Sequence, residues 1–136
     1  MTLLASPKLQ EAVFAALAAD GNLSLLLTGI YDEAPTGVAY PYLAMGETGL
    51  AAGDLKDRRG GRLSFDLFIY SSEASQMQVK ELMGSVDGVM QAADINVVGH
   101  DLVTLRLTSA SVVRQWSEAG SLYRGRLSYS ALLYAA

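Results

Sequence analysis

Apolar residues recur at spacings of three and four near the start of the chain. Leu9, Ala12, Val13, Ala16 and Leu17 fall on one face of KLQEAVFAALAAD, which predicts a helix. Ser6–Pro7 predicts its start, a serine cap followed by proline at the first position. Asp20–Gly21–Asn22 predicts its end, with glycine suited to a left-handed cap. Leu23–Leu27 is either one more helical turn or a buried connector, and periodicity does not choose. The stretch Gly29–Gly46 then carries Pro35 and Pro41. Each proline fixes its own φ and pushes the preceding residue toward extended geometry. We expect an extended arm, a turn at Thr36–Gly37, and a first strand over Tyr40–Met45 at a sheet edge or strand start, because Pro41 cannot donate to a ladder.

Glu47–Gly61 reads as a flexible, exposed loop, with four glycines and five charges from Asp54 onward. Arg62–Tyr70 then alternates: Leu63, Phe65, Leu67 and Ile69 point one way, Arg62, Ser64 and Asp66 the other. Phe68 and Tyr70 interrupt the polar face, so that face should be partly covered. Ser71–Ser72–Glu73 predicts a helix start. Val79, Leu82, Met83, Val86 and Met90 form the apolar stripe of that helix, and Gly84 and Gly88 make it dependent on the sheet. Ile95–Val98 is a short strand before a turn at Gly99. Leu102–Arg114 is a long strand with Val103, Leu105 and Leu107 on one face and a bulge expected over Ser109–Ser111. A polar turn over 115–121 carries Trp116. The last strand, Leu122–Tyr134, sets Tyr123, Leu127, Tyr129, Ala131 and Leu133 opposite Arg124, Arg126, Ser128 and Ser130. The last two strands should form an antiparallel hairpin. The expected class is α+β, a mainly antiparallel sheet with two helices packed on one face, within one domain spanning residues 1–136.

Composition narrows the function. At 136 residues and 51% hydrophobic, the chain can bury a core. Its net charge of −4 argues against a nucleic-acid binder. With no cysteine, disulfides and thiolate metal sites are excluded. The start shows no signal-peptide pattern and no stretch has membrane-span length, so we expect a chain that is cytosolic at synthesis and no membrane partner.

Catalytic constellations are hard to assemble. The single histidine, His100, sits at a predicted turn, where solvated or capping roles are the common ones. Asp32 and Glu33 are adjacent, so in an extended segment they point apart; a solvated or cross-subunit salt-bridge role suits them better than a metal site. The glycines of 53–62 match no phosphate loop. Lys56, Arg58, Arg59 and Arg62 form a basic patch, either solvated or a contact for an acidic partner surface. Arg124 and Arg126 belong to a face that is either solvent-exposed or a contact. Trp116 on a polar turn either folds over a core edge or serves binding.

The order LQEAVFAALAAD, IYDEAPTGVAYPYLAMGE, a glycine-rich loop, LSFDLFIYSS, a helix, GHDLVTLR and YRGRLSYSALL resembles the tail terminator (tail completion) family of long-tailed bacteriophages and gene transfer agents, from Leu9 to about Leu133. The resemblance implies a structural virion protein with the helix-on-sheet fold. It implies a ring, typically of six subunits, that caps the tail tube and joins it to the head connector or adaptor proteins at the head-proximal end of the tail. Assembly would take place in the host cytoplasm, and DNA would cross the lumen without specific binding. It supplies no catalytic residue, cofactor or metal. Tyr31, Asp32, Pro35, Pro41 and Tyr42 take structural or intersubunit roles in that reading. Tyr31, Asp32, Glu33, Pro35, Tyr42, Lys56, Arg58, Arg59, Trp116, Arg124 and Arg126 are the expected contacts with neighbouring subunits or partners. Two other readings stand beside it: a head-side adaptor ring, and a small-molecule enzyme or binding domain of similar layered fold, against which the poor catalytic inventory counts.

Overall fold

The computed structural model describes residues 2–54, 56–117 and 120–136. Among them the chain forms helices α1 (Thr2–Ala19), α2 (Gly21–Leu26) and α3 (Met77–Ala92), and strands β1 (Ile30–Tyr31), β2 (Tyr42–Ala52), β3 (Gly60–Ser71), β4 (His100–Ser117) and β5 (Gly120–Ala135). The strands make one sheet in the order β1-β2-β3-β5-β4. Only β1 runs parallel to its neighbour; every other pairing is antiparallel. The class is α+β, as the sequence predicts. No helix among the described residues is long and apolar enough to cross a membrane.

The alternating residues of β3 and β5 build the floor of the core. Leu63, Phe65, Leu67 and Ile69 on β3 and Tyr123, Leu127, Tyr129, Ala131 and Leu133 on β5 are all buried beneath the helices. Ala5, Leu9, Val13 and Leu17 of α1 close the core from above, with Val79, Leu82, Met83, Val86 and Met90 of α3. Phe65 stacks on Tyr129 with ring centroids 5.5 Å apart. The Tyr129 hydroxyl donates to Asp87 Oδ1 at 2.8 Å, fastening α3 to the sheet. Gly125 lets that helix come close, since a Cβ there would stand 2.5 Å from Met83 Sδ and 3.0 Å from Val79 Cγ2.

Several boundaries differ from expectation. The first helix starts at Thr2 and contains Pro7, because Ala5, fully buried, extends the four-residue stripe one turn earlier. α1 ends at Ala19, just before Asp20 as expected, but without the left-handed glycine cap. The Asp20 side chain accepts from Leu23 N at 3.0 Å and caps α2, which resolves Leu23–Leu27 as mostly helix, and Gly21 has no positive φ. The third helix begins at Met77, six residues after Ser71. Ser71 is the buried last residue of β3, and its hydroxyl donates to Gln78 Oε1 at 2.5 Å. The chain over 95–98 is no strand, although Val97 is buried. Gly99, at φ +79, makes the expected turn.

Glu47–Gly61 also departs from the loop reading. Residues 47–52 continue β2 and Gly60–Gly61 open β3, with Ala52 opposite Gly61 and Leu50 opposite Leu63. Glycine and charge content hid a strand that packs on one side only and is exposed along 47–52. The bulges of β4 fall at Val103 and Thr108, not over Ser109–Ser111. Val103 is consequently 55% exposed and Leu102 takes its place against the core. The turn expected over 115–121 shrinks: β4 runs to Ser117, β5 starts at Gly120, and 118–119 lie outside the described residues.

Candidate interaction surfaces

One face of the sheet carries the helices; the other carries none. On the helix-free face the pairing sets Tyr42, Tyr70 and Arg124 in one cross-strand row, and Ala44, Phe68 and Arg126 in the next. Tyr42 stacks on Tyr70 at 4.9 Å, meets Tyr40 at 5.4 Å and takes Tyr31 edge-on at 6.0 Å. Such aromatic pairs are worth about 0.5–1.5 kcal/mol beyond their burial. Burial raises the Tyr42 pKa, and the phenols of Tyr40 and Tyr70 add to the shift. The Arg124 guanidinium lies 4.6 Å from the Phe68 ring centre. Its Nε is buried with no hydrogen-bond partner, so the ring face is the contact the structure offers it. The two prolines of the arm thus lead the chain to an aromatic corner, entered through the cis peptide Tyr40–Pro41. Thr36–Gly37 makes the expected turn, with Gly37 at φ +83.

Toward the middle of this face the chemistry turns polar. Asp66, 8% exposed, accepts from the Ser128 hydroxyl at 2.6 Å and pairs with Arg126 Nε at 3.1 Å. Arg126 Nε also donates to Ser128 Oγ at 3.1 Å. Ser128 and Ser130 are both buried, so this side of β5 is not the open face its composition suggests. An open groove of about 350 Å³ lies over this network, lined by Glu47, Ser64, Asp66, Thr108, Arg126 and Ser128.

The remaining expected contacts scatter. Asp32, Glu33 and Pro35 are exposed on the arm, and neither acid takes part in an ion pair among the described residues. Lys56 is exposed. Arg58 pairs with Asp101 at 2.9 Å and stands 5.2 Å from the Tyr134 ring centre, and Arg59 approaches Asp54 at 4.0 Å. Two charges of the basic patch are therefore already matched within the subunit. Arg62 donates to Ser130 Oγ at 3.2 Å. Trp116 is 75% exposed near the end of β4, with the Arg114 guanidinium 5.5 Å from its ring centre. His100 opens β4, with Nδ1 3.1 Å from Val98 O. No group of three or more His, Cys, Asp or Glu able to hold a metal occurs among the described residues. Sequence reasoning missed Asp66, Phe68 and Tyr70 as parts of a surface. The break in the β3 alternation was their signal, and it marks where Arg124 and Tyr42 cover that face.

The sequence profile of the tail completion protein gp17 family matches residues 11–134. The chain belongs to that family. A chain of the virion of a native gene transfer agent (GTA) particle superposes with a TM-score of 0.83 at 27% identity, covering 93% of this chain and 95% of that one. The bacteriophage SPP1 gp17 protein superposes with a TM-score of 0.61 at 14% identity over 98% of this chain and 91% of that one, and so shares the fold. No curated protein sequence matches. The protein is a structural component of a virion tail.

Proposed function

We propose that copies of this chain close into a ring, of six subunits by the family resemblance, that caps the finished tail tube and joins it to the head connector. The observation that carries this reading is the pair of unlike open edges on one sheet. The two residues of β1 cover β2 only at Leu43 and Ala44, so the outer side of Met45–Ala52 has no strand partner among the described residues. At the other edge, β4 has no strand partner on its outer side among the described residues. Unpaired edges invite another chain. Two different edges favour head-to-tail contacts, which close into rings when the rotation closes. The net charge of −4 suits a channel that DNA crosses without sticking.

The reading gives the protein no catalytic step. Its contacts are with itself, the tail tube and the connector side. Particles made without the protein, imaged beside the wild type, test it: heads and tails that fail to join are expected. Normally joined particles lacking the protein would overturn it. Position of the ring density on the adaptor side of the joint, away from the tube, would assign the protein to the adaptor ring.

A further inference from the structure

Four of the largest exposed apolar side chains sit at one end of the molecule. Leu25 is 87% exposed, Leu26 48%, Met77 63% and Trp116 75%. Leu26 and Met77 border a groove of about 320 Å³ at the junction of α2 and α3. Leu26, Met77 and Leu82 make its apolar lining, and Glu73 and Glu81 its acidic rim. Neither glutamate takes part in an ion pair among the described residues.

Topology puts Trp116 at the same end of the sheet. α3 starts just beyond Ser71, the end of β3, and Ser71 pairs with Tyr123, which pairs with Arg114. α2 leads directly into β1, α3 packs over β3, β5 and β4, and Trp116 is on β4, the edge strand beside β5. Register also sets the side. Arg114 pairs with the buried, helix-facing Tyr123, and Trp116, two residues on, shares that side of the strand. Trp116 and the groove therefore occupy one end and one side of the sheet, yet Trp116 is not part of the groove lining and stays 75% exposed, so the indole and the groove are both left open within the subunit.

We infer that the groove between α2 and α3 receives the Arg114–Trp116 segment of a second copy of this chain. The indole fills the apolar lining, where the Met77 thioether is a favourable partner for an aromatic ring. The Arg114 guanidinium, which has no carboxylate among the described residues, meets Glu73 and Glu81. Charge thus selects the orientation that apolar burial stabilises. A knob on one surface and a pocket on another is a head-to-tail contact. The inference rests on the ring reading and adds a joint to it.

The chain holds a single tryptophan, so its fluorescence reports on Trp116 alone. A concentration series of the purified chain, with mass measured by ultracentrifugation and Trp116 probed by acrylamide quenching, tests the contact. Mass should rise with concentration as emission moves to the blue and quenching falls. Trp116→Ala should weaken self-association about tenfold or more, as an interface anchor does. Arg114→Glu and Glu81→Arg should each weaken it, and the two together should restore part of the loss. A chain that stays monomeric throughout overturns the contact. So does one that assembles with Trp116 as quenchable as in the monomer. Neither result touches the ring reading, which the imaging of particles lacking the protein decides separately.

Discussion

Tyr129 carries the clearest single-residue consequence. It is 1% exposed, and its hydroxyl holds Asp87. Burial raises its pKa far above the ordinary 10.0, and the hydrogen bond to Asp87 and the charge of that carboxylate push the same way. The fold therefore holds the neutral phenol. Its contribution is whole below pH 10 and falls as pH rises above it, because the unfolded chain releases the proton first. Tyr129→Phe should cost about 1.5–3 kcal/mol at neutral pH, the loss of a hydrogen bond to a charged group. It should also flatten the alkaline decline. Urea unfolding between pH 7 and 11 checks both, and an unchanged alkaline slope in the variant would contradict the assignment. His100 predicts the opposite kind of result. Among the described residues its ring hydrogen-bonds to the Val98 carbonyl alone. His100→Ala should leave fold, mass and particle assembly intact, and a loss of particle joining with the fold unchanged would count against a purely structural protein. The sequence placed His100 at a turn; the structure makes it the first residue of β4, one place past the Gly99 turn. Asp66 was not legible, since an acid on an alternating strand looks solvated until Ser128 and Arg126 arrive from 62 and 60 residues away.

At the scale of elements, the sequence reveals what is periodic and conceals what is one-sided. The stripes of α1 and α3 and the alternation of β3 and β5 were all readable, because each buries one face against the same core. The outer half of β2 and most of β4 are exposed on edge strands, so packing imposes little pattern on them. Glycine and charge in 47–61 then outweigh the ladder, which depends on backbone rather than side chains. Hydrogen exchange separates the two readings: amides of 48–52 that bond to β3 should exchange slowly, whereas a loop would leave them fast. The register between α3 and β5 gives a second test. Gly125 sits where Met83 and Val79 press on the sheet. Gly125→Ala asks mainly the flexible Met83 to shift. Gly125→Val brings two more methyl groups against the branched Val79 and should cost about 1–3 kcal/mol through overpacking. Denaturant midpoints of the two variants give the comparison, with valine expected to be the worse.

For the whole molecule the question is how one subunit finds the next. Asp32 and Glu33 follow β1 at one edge of the sheet, exposed and without an ion pair among the described residues. Arg58, Arg59 and Arg126 are held by Asp101, Asp54 and Asp66 in their own subunit, so they are poor candidates to answer these acids. Arg106, exposed on the opposite edge strand and in no ion pair among the described residues, is the better one. Edge-to-edge contact brings the arm of one copy toward β4 of the next. We therefore expect Asp32 or Glu33 to meet Arg106 across the joint. An exposed pair is worth only about 1 kcal/mol or less, but a ring repeats it at every interface, and opposite charge also rejects wrong pairings. Asp32→Lys with Glu33→Lys should leave the monomer as stable as before and lower the yield of joined particles. Adding Arg106→Glu should recover part of that yield, and the recovery should fade as salt rises, since screening acts on exposed pairs. An assembled ring with both acids in open solvent would refute the pairing; so would recovery that is indifferent to salt.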